Sequence, residues 1–120
     1  MAKNDMRLII FKILKYLYGC NKAGKIPTFT DMLKVIELPA IPASYFRQII
    51  EELIKCDYID GIHIIATKNV GYINVSENAR VTIEGVEYLQ ENSTMQKISA
   101  VAGKAFEVLI DDLTSAAMPL

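Results

Sequence analysis

The stretch Ala79–Ser93, ARVTIEGVEYLQENS, decides the fold because it passes directly from a β-branched run into a helical pattern. Val81 and Ile83 alternate like strand residues, and Thr82 stands where a helix requires an N-cap side chain. Gly85 would allow the helix to lie against a neighbouring backbone, although glycine costs about 1 kcal/mol of helix propensity relative to alanine. A strand that turns straight into a helix here closes a β-hairpin and returns the chain to the body of a domain.

The segment MRLIIFKILKYLYGC, residues 6–20, predicts a first helix. Its apolar residues recur at helical spacing, and its other face holds the basic residues Arg7, Lys12 and Lys15. The glycine-containing run GCNKAGKIP then ends the helix, and we expect Ile26 to start a short extended piece.

Two further helices follow in the sequence. In TFTDMLKVIELP, Thr28 and Asp31 have the spacing of a capping box, in which each side chain satisfies a backbone N–H group, and Pro39 stops the helix. A third helix starts near Pro42 and carries the strongest apolar stripe in the chain. That stripe consists of Phe46, Ile49, Ile50, Leu53 and Ile54.

Two β-rich segments, YIDGIHIIAT and GYINVSENARVT, are separated by the turn-prone sequence KNVG and predict a two-stranded hairpin. The run SENA, residues 76–79, is an alternative part of the tip. With three helices before it and a helix after it, this hairpin has the place of a wing.

Ser93 or Thr94 can cap a last helix, MQKISAVAGKAFEVLIDDLTSAA. Its long stripe can pack on its own domain or on the same helix of a second subunit, and we expect a homodimer. The predicted dimer interface is Met95, Ile98, Ala102, Ala105, Leu109 and Leu113. The organisation is therefore a winged helix-turn-helix domain in residues 1–93 and a C-terminal helix in residues 94–120, which serves as a packing or dimerisation arm.

The composition is that of an ordered globular protein, with 52% hydrophobic and 22% charged residues in 120. No apolar run approaches the roughly eighteen residues of a membrane span, so we expect a cytoplasmic protein without membrane contact. Cys20 and Cys56 lack metal-ligand or redox spacing and are expected to be buried free thiols.

The near-neutral formal charge of −1 conceals an asymmetry. Residues 1–30 hold six lysines and arginines against one aspartate, a balance of +5, whereas the other ninety residues carry −6. A basic patch attracts phosphate, but an acidic remainder and a pI near 5.8 weaken a long nucleic-acid footprint.

The order of elements is typical of an α+β winged helix-turn-helix domain, and the phrase VTIEGVEYLQENSTMQK adds a family resemblance. It resembles the YjcQ family, small proteins of Gram-positive bacteria and their phages, in which a strand runs into T-x-x-G-x-x-Y-L-x-E-N-S and a final helix. The matching positions are Thr82, Gly85, Tyr88, Leu89, Glu91, Asn92 and Ser93. The resemblance implies a winged-helix fold and a bacterial or prophage origin, and it supplies no activity.

A winged helix that binds duplex DNA places the second helix of the helix-turn-helix in the major groove and the wing on backbone or minor groove. The third helix is then the reader, and its arginine and glutamine are suited to guanine and adenine edges. The predicted DNA contacts are Ser44, Tyr45, Arg47, Gln48 and Lys55 in the helix, and Lys68, Asn69 and Arg80 in the wing. We therefore predict a DNA-binding transcriptional regulator.

The alternative is a protein–protein interaction module, such as a phage-borne adaptor or inhibitor on the same scaffold. From Pro42 to Cys56, two basic residues face Glu51 and Glu52, and this zero balance favours a protein partner over DNA. A second basic surface on the first helix, Lys12, Lys15, Lys22 and Lys25, could meet phosphates or an acidic protein.

Enzyme and metal functions have little support in the sequence. It contains no phosphate-binding glycine loop, no G-x-S-x-G motif and no recognisable carboxylate pair, so we expect no enzymatic activity. His63 is the only histidine and lies in GIHIIA, where we expect a packed or hydrogen-bonded role. No metal or other cofactor is expected.

Overall fold

The structure is a computed structural model that describes residues 5–36, 41–65 and 72–114. These residues form α1 Met6–Ala23, α2 Phe29–Ile36, α3 Ala43–Lys55, β1 Ile59–Ile65, β2 Tyr72–Val81, α4 Ile83–Glu91 and α5 Ser93–Thr114. This is the predicted α+β, winged-helix-like layout with a long C-terminal helix, and the class is confirmed. Pro39 and the KNVG turn lie outside the described residues. None of the helices in the described ranges has an apolar run of membrane-spanning length.

The first helix, α1, is the centre of the core and is buried on nearly every side. The predicted basic face is therefore wrong at one position, because Lys12 is only 8% exposed. The last part of α5 covers this face, with the Phe106 ring 5.8 Å from the Lys12 ammonium and 5.7 Å from the Phe11 ring. The buried residues of α1 are Leu8, Ile9, Ile10, Phe11, Lys12, Ile13, Leu14, Tyr16, Leu17 and Cys20.

The short extended piece expected at Ile26 does not become a strand in the described part of the chain, where the sheet consists of β1 and β2. A side chain from the end of α1 bonds the strand backbone instead. The Asn21 Nδ2 group donates to the Ala79 carbonyl at 3.1 Å, and Asn21 Oδ1 accepts from the Val81 amide at 3.0 Å. One asparagine amide thus pairs with the backbone of β2 as a strand residue would.

The start of α2 realises half of the predicted capping box. Thr28 Oγ1 accepts from the Asp31 amide at 3.1 Å, as expected. The reciprocal bond is replaced, because the Thr28 amide donates to the Tyr16 hydroxyl at 3.0 Å and the Asp31 carboxylate pairs with Lys34 at 3.7 Å. The buried tyrosine of α1 therefore fixes where α2 begins.

The hairpin has the predicted order but an irregular register. β1 and β2 are antiparallel, and Asp60 pairs with Arg80 while Ile62 pairs with Val75, so β2 accommodates three extra residues between these pairs. The run SENA supplies all four residues between Val75 and Arg80 and lies within β2, not at the tip of the hairpin. Gly61 faces the bulge with φ 81°, and a Cβ there would lie 2.7 Å from the Ala79 Cα.

The junction between wing and α4 follows the sequence expectation. Thr82 is the N-cap of α4, and its Oγ1 accepts from the Gly85 amide at 3.0 Å and donates to the Asp57 carbonyl at 2.5 Å. A Cβ at Gly85 would collide with the Tyr58 carbonyl oxygen, so the expected close approach to a neighbouring backbone is confirmed. The Tyr58 and Tyr88 rings stack beside it, with centroids 4.6 Å apart.

Two predictions about burial are wrong. Ile54 is 39% exposed and Cys56 is exposed, because both lie where α3 ends and the chain turns away through Asp57, with φ 62°. His63 is exposed on the face of β1 opposite the buried Ile62, so the packed role expected as one alternative is excluded. Cys20 is a buried free thiol as expected.

The last helix, α5, differs from the sequence expectation at its start and at its middle. Asn92 caps it, since Asn92 Oδ1 accepts from the Thr94 and Met95 amides at 2.9 and 3.2 Å. Gly103 has φ 87° and ψ 175°, so the helix is kinked there into two segments. The apolar spacing crosses Gly103 without a change, and for this reason it predicts one straight helix.

Substitution of the buried tyrosine should change how stability depends on pH. Burial raises the pKa of Tyr16 from 10.0 to about 12. Between these pH values the unfolded chain loses a proton that the folded chain keeps, so stability present below pH 10 is lost as the pH rises towards 12. This loss amounts to about 2–3 kcal/mol.

In Tyr16→Phe we expect this alkaline loss to disappear, while the broken hydrogen bond to Thr28 costs about 1 kcal/mol at neutral pH. Urea unfolding across the alkaline range measures both effects. Tyr72→Phe, which alters a ring that is 57% exposed, is the matched control. An unchanged alkaline slope in Tyr16→Phe would contradict the expectation.

Candidate nucleic-acid interface

The outward face of α3 is the surface that the sequence predicts for DNA contact. Phe46, Ile49, Ile50 and Leu53 hold the opposite face in the core, and the Phe29 and Phe46 rings, 6.0 Å apart, join α2 to α3. Of the predicted contacts, Ser44, Arg47, Gln48 and Lys55 are exposed, whereas Tyr45 is half-buried against the core. The structure therefore brings four of the five predicted helix positions to the surface.

The first turn of α3 has open backbone donors. Pro42 is the N-cap residue, and its ring has no group that could cap the helix. The amides of Tyr45 and Phe46 donate to the Pro42 carbonyl, each at 3.1 Å, so those of Ala43 and Ser44 are the donors at the open end in the described chain. A helix N-terminus of this kind favours an anion through its amides and its dipole.

Charge is not distributed evenly along α3. Arg47 lies in the N-terminal half beside Ser44 and Gln48, while Glu51 and Glu52 lie in the C-terminal half with Lys55, and all are exposed. The helix carries no net charge as a whole. Its N-terminal half is the part without carboxylates.

The predicted wing contact Arg80 has a partner of opposite charge. Its guanidinium Nη2 lies 3.2 Å from Asp60 Oδ2, and the two residues pair directly across β1 and β2. The two side chains are 57% and 60% exposed, so solvent screens the pair and it contributes little to stability. The other predicted wing contacts, Lys68 and Asn69, lie outside the described residues.

The predicted dimer stripe is divided between core and surface. Met95 and Ile98 are fully buried in the chain's own core, because the first part of α5 packs against α1 and α4. Ala102, Leu109 and Leu113 are half-buried, and Ala105 is exposed. The homodimer stays a prediction, and the two buried residues could join such an interface only if α5 moved.

The alternative basic surface, on α1 and just beyond its C-terminal end, is also divided. Lys12 is buried, Lys15 and Lys25 are half-buried, and Lys22 is exposed, with its ammonium 4.4 Å above the Tyr18 ring. Lys15 and Lys22 border a cavity of about 300 Å³ whose other wall includes Asp111 of α5. The Asp111 carboxylate on that wall would repel a phosphate, and this argues against phosphate binding at this surface.

The family model described as YjcQ protein matches residues 11–107, from α1 to just beyond Gly103. The chain belongs to the YjcQ family. The resemblance expected from the sequence is confirmed, and α3, the hairpin and α4 of this YjcQ chain all lie within the match. No curated protein and no solved structure matches the chain.

Two residues that shape the fold, Asn21 and Gly103, were not predicted from the sequence. Asn21 anchors β2, but a polar residue near the end of a helix usually indicates only solvent exposure. Gly103 divides α5, and an isolated glycine within a helical pattern was the available signal for a break. Within the described residues, no three His, Cys, Asp or Glu side chains converge on a potential metal site.

Replacement of Asn21 should weaken the attachment of the wing. Asn21→Ala leaves the Ala79 carbonyl and Val81 amide without their side-chain partner, and we expect it to lower the free energy of unfolding by about 1–3 kcal/mol. Asn21→Asp keeps the acceptor for Val81 but loses the donor to Ala79, so it should also destabilise the fold. Urea denaturation measures the effect, with Asn74→Ala on the exposed face of β2 as the control. Equal stabilities of Asn21→Ala and the control would refute the role of this clamp.

Proposed function

We propose that this YjcQ-family protein binds duplex DNA in the cytoplasm and regulates transcription in a bacterium or prophage, without catalytic activity. The observation that carries the proposal is the N-terminal half of α3, which presents Ser44, Arg47 and Gln48 to solvent from a helix fixed in the core. In a helix-turn-helix the N-terminal residues of the second helix approach the base edges. The residue types and their position are therefore both suited to contacting base edges.

The N-terminal half of α3 carries groups suited to contacting both the bases and the phosphates of DNA. An arginine can bond guanine O6 and N7 together, and a glutamine can bond adenine N6 and N7. The open amides of Ala43 and Ser44 are suited to a phosphate oxygen beside the groove. Glu51 and Glu52 lie one to two turns further along, where they would limit how deeply the helix enters.

A second candidate is a protein-interaction module, such as an adaptor or inhibitor carried by a phage. The paired state of Arg80 with Asp60 favours it, because a wing arginine with a carboxylate at 3.2 Å offers less net attraction to phosphate. A partner protein could instead use the mixed charges of α3.

The two candidates differ in their response to duplex DNA and salt. A random duplex pool is first enriched for bound sequences, and fluorescence anisotropy is then measured on enriched and unselected DNA at two salt concentrations. For a DNA-binding protein we expect affinity to fall steeply with salt. Arg47→Ala should lower affinity for the enriched duplex by roughly 5- to 100-fold, which corresponds to about 1–3 kcal/mol.

Lys97→Ala, which removes the same charge from an exposed position on α5, is the matched control and should lose much less affinity. The pair Glu51→Gln and Glu52→Gln should bind more tightly, since each removes a repulsive charge. Absence of binding at micromolar protein and low salt would reject DNA binding. A copurifying protein that is lost with Glu51→Lys and Glu52→Lys would then support the interaction module.

A further inference from the structure

The two segments of α5 are held in different ways. The first, before Gly103, is anchored by the Asn92 cap and by Met95 and Ile98, which are fully buried. The second, residues 104–114, lies across α1 as a strap, with Phe106 and Ile110 buried at 8% and 6% exposure. The strap is therefore joined to the rest of the fold at a single backbone hinge.

The end of the strap fits closely against α1. A Cβ built on Gly19 would lie 2.8 Å from the Thr114 Cγ2 atom and 3.2 Å from its Cβ. Thr114 itself is buried, and its hydroxyl donates to the Ile110 carbonyl at 2.7 Å. The surface of α1 between Phe11 and Gly19 is thus a receptor shaped for this segment.

The kink at Gly103 depends on the backbone angles of this residue and not on a lack of room for a side chain. The angles of Gly103, φ 87° and ψ 175°, lie in a region that essentially only glycine occupies. A Cβ built there would meet nothing within 4 Å in the described chain. Alanine at this position would consequently disfavour the kink without any collision, and it would favour a continuous helix.

A straight α5 is compatible with the same sequence. The apolar stripe of Met95, Ile98, Ala102, Ala105, Leu109 and Leu113 keeps helical spacing through Gly103. Straightening would carry Phe106, Ile110 and Thr114 away from their own α1 and would uncover the receptor between Phe11 and Gly19. The segment that fits an uncovered receptor is the strap of a second copy.

We propose that residues 104–114 are an exchangeable arm, which leaves α1 when Gly103 straightens and occupies the same receptor on α1 of a second copy of this chain. Such an exchange replaces each intrachain contact by an identical interchain contact, so a dimer forms at low cost. The interface is Phe106, Ile110 and Thr114 against the partner's α1, and Met95 and Ile98 stay in their own core. Exchange of the arm does not require DNA binding.

The first test is Gly103→Ala, measured by light scattering after size exclusion over a range of concentrations. Because alanine disfavours the kinked conformation, the equilibrium constant between kinked and straight α5 should shift by roughly tenfold or more towards the straight form in each chain. Because two hinges straighten in one dimer, we expect the dimer dissociation constant to fall by roughly 100-fold. A Gly103→Ala protein whose dimer affinity equals that of the unsubstituted chain would overturn the proposal.

A disulfide test shows whose strap occupies the receptor. Gly19→Cys with Thr114→Cys, in a Cys56→Ser background, places two thiols where the Cβ atoms are near the 3.5–4.5 Å separation of a disulfide. With Gly103 present, oxidation should link the cysteines within one chain. With Gly103→Ala added, we expect the same pair to link two chains into a covalent dimer on a non-reducing gel.

Thr114→Cys without Gly19→Cys, in the same Cys56→Ser and Gly103→Ala background, controls for a bridge to the native Cys20 and should give no covalent dimer. Far-ultraviolet circular dichroism shows whether each variant is folded and whether helix content rises in Gly103→Ala. A folded Gly103→Ala protein that forms only intrachain disulfides, or a monomer with a detached strap, would reject the exchange.

Discussion

The burial of α1 is the constraint on which the rest of the structure depends. α2, α3, α4, α5 and β2 all pack against this one helix, and its faces are therefore apolar on nearly every side. Two polar groups of α1 also set the positions of other elements. The Tyr16 hydroxyl accepts a hydrogen bond from the backbone amide of Thr28, which caps α2. The Asn21 side-chain amide hydrogen-bonds two backbone groups of β2. The helix-turn-helix and the wing are consequently oriented from the same support.

The architecture was predictable because local patterns and tertiary packing agree for most of the chain. The stripe of Phe46, Ile49, Ile50 and Leu53 identifies α3, and the run from Val81 through Thr82 to Gly85 identifies the change from strand to helix. Each pattern depends on a single apolar face or a single capping residue, and the local sequence alone contains that information. The fold class and the family could be recognised for this reason.

The errors arise where tertiary contacts decide exposure. The sequence indicates that α1 has a basic face, but it does not indicate that the strap after Gly103 lies over Lys12. It predicts a short extended piece at Ile26, whereas the backbone of β2 is bonded by the side chain of Asn21, from the preceding helix. Likewise Ile54 continues an apolar stripe, yet it lies at the helix end, beyond the part of α3 that contacts the core.

The candidate DNA surface was predicted residue by residue for α3, and the structure decides which of those residues reach solvent. Arg47 and Gln48 are exposed, Tyr45 is drawn towards the core, and Arg80 faces a carboxylate. The electrostatic balance is therefore local. The N-terminal half of α3 would attract an anion and the acidic residues of its C-terminal half would repel one, so the DNA contact that we propose is a short one.

The most direct measurement of the function we propose is an NMR titration of ¹⁵N-labelled protein with duplex DNA at low salt. We expect the amide signals of residues 43–48 and of the hairpin to shift first and together, while those of the α1 interior stay in place. Shifts confined to the Lys15 and Lys22 surface, or no shifts at all, would contradict the assignment of α3 as the DNA-reading helix.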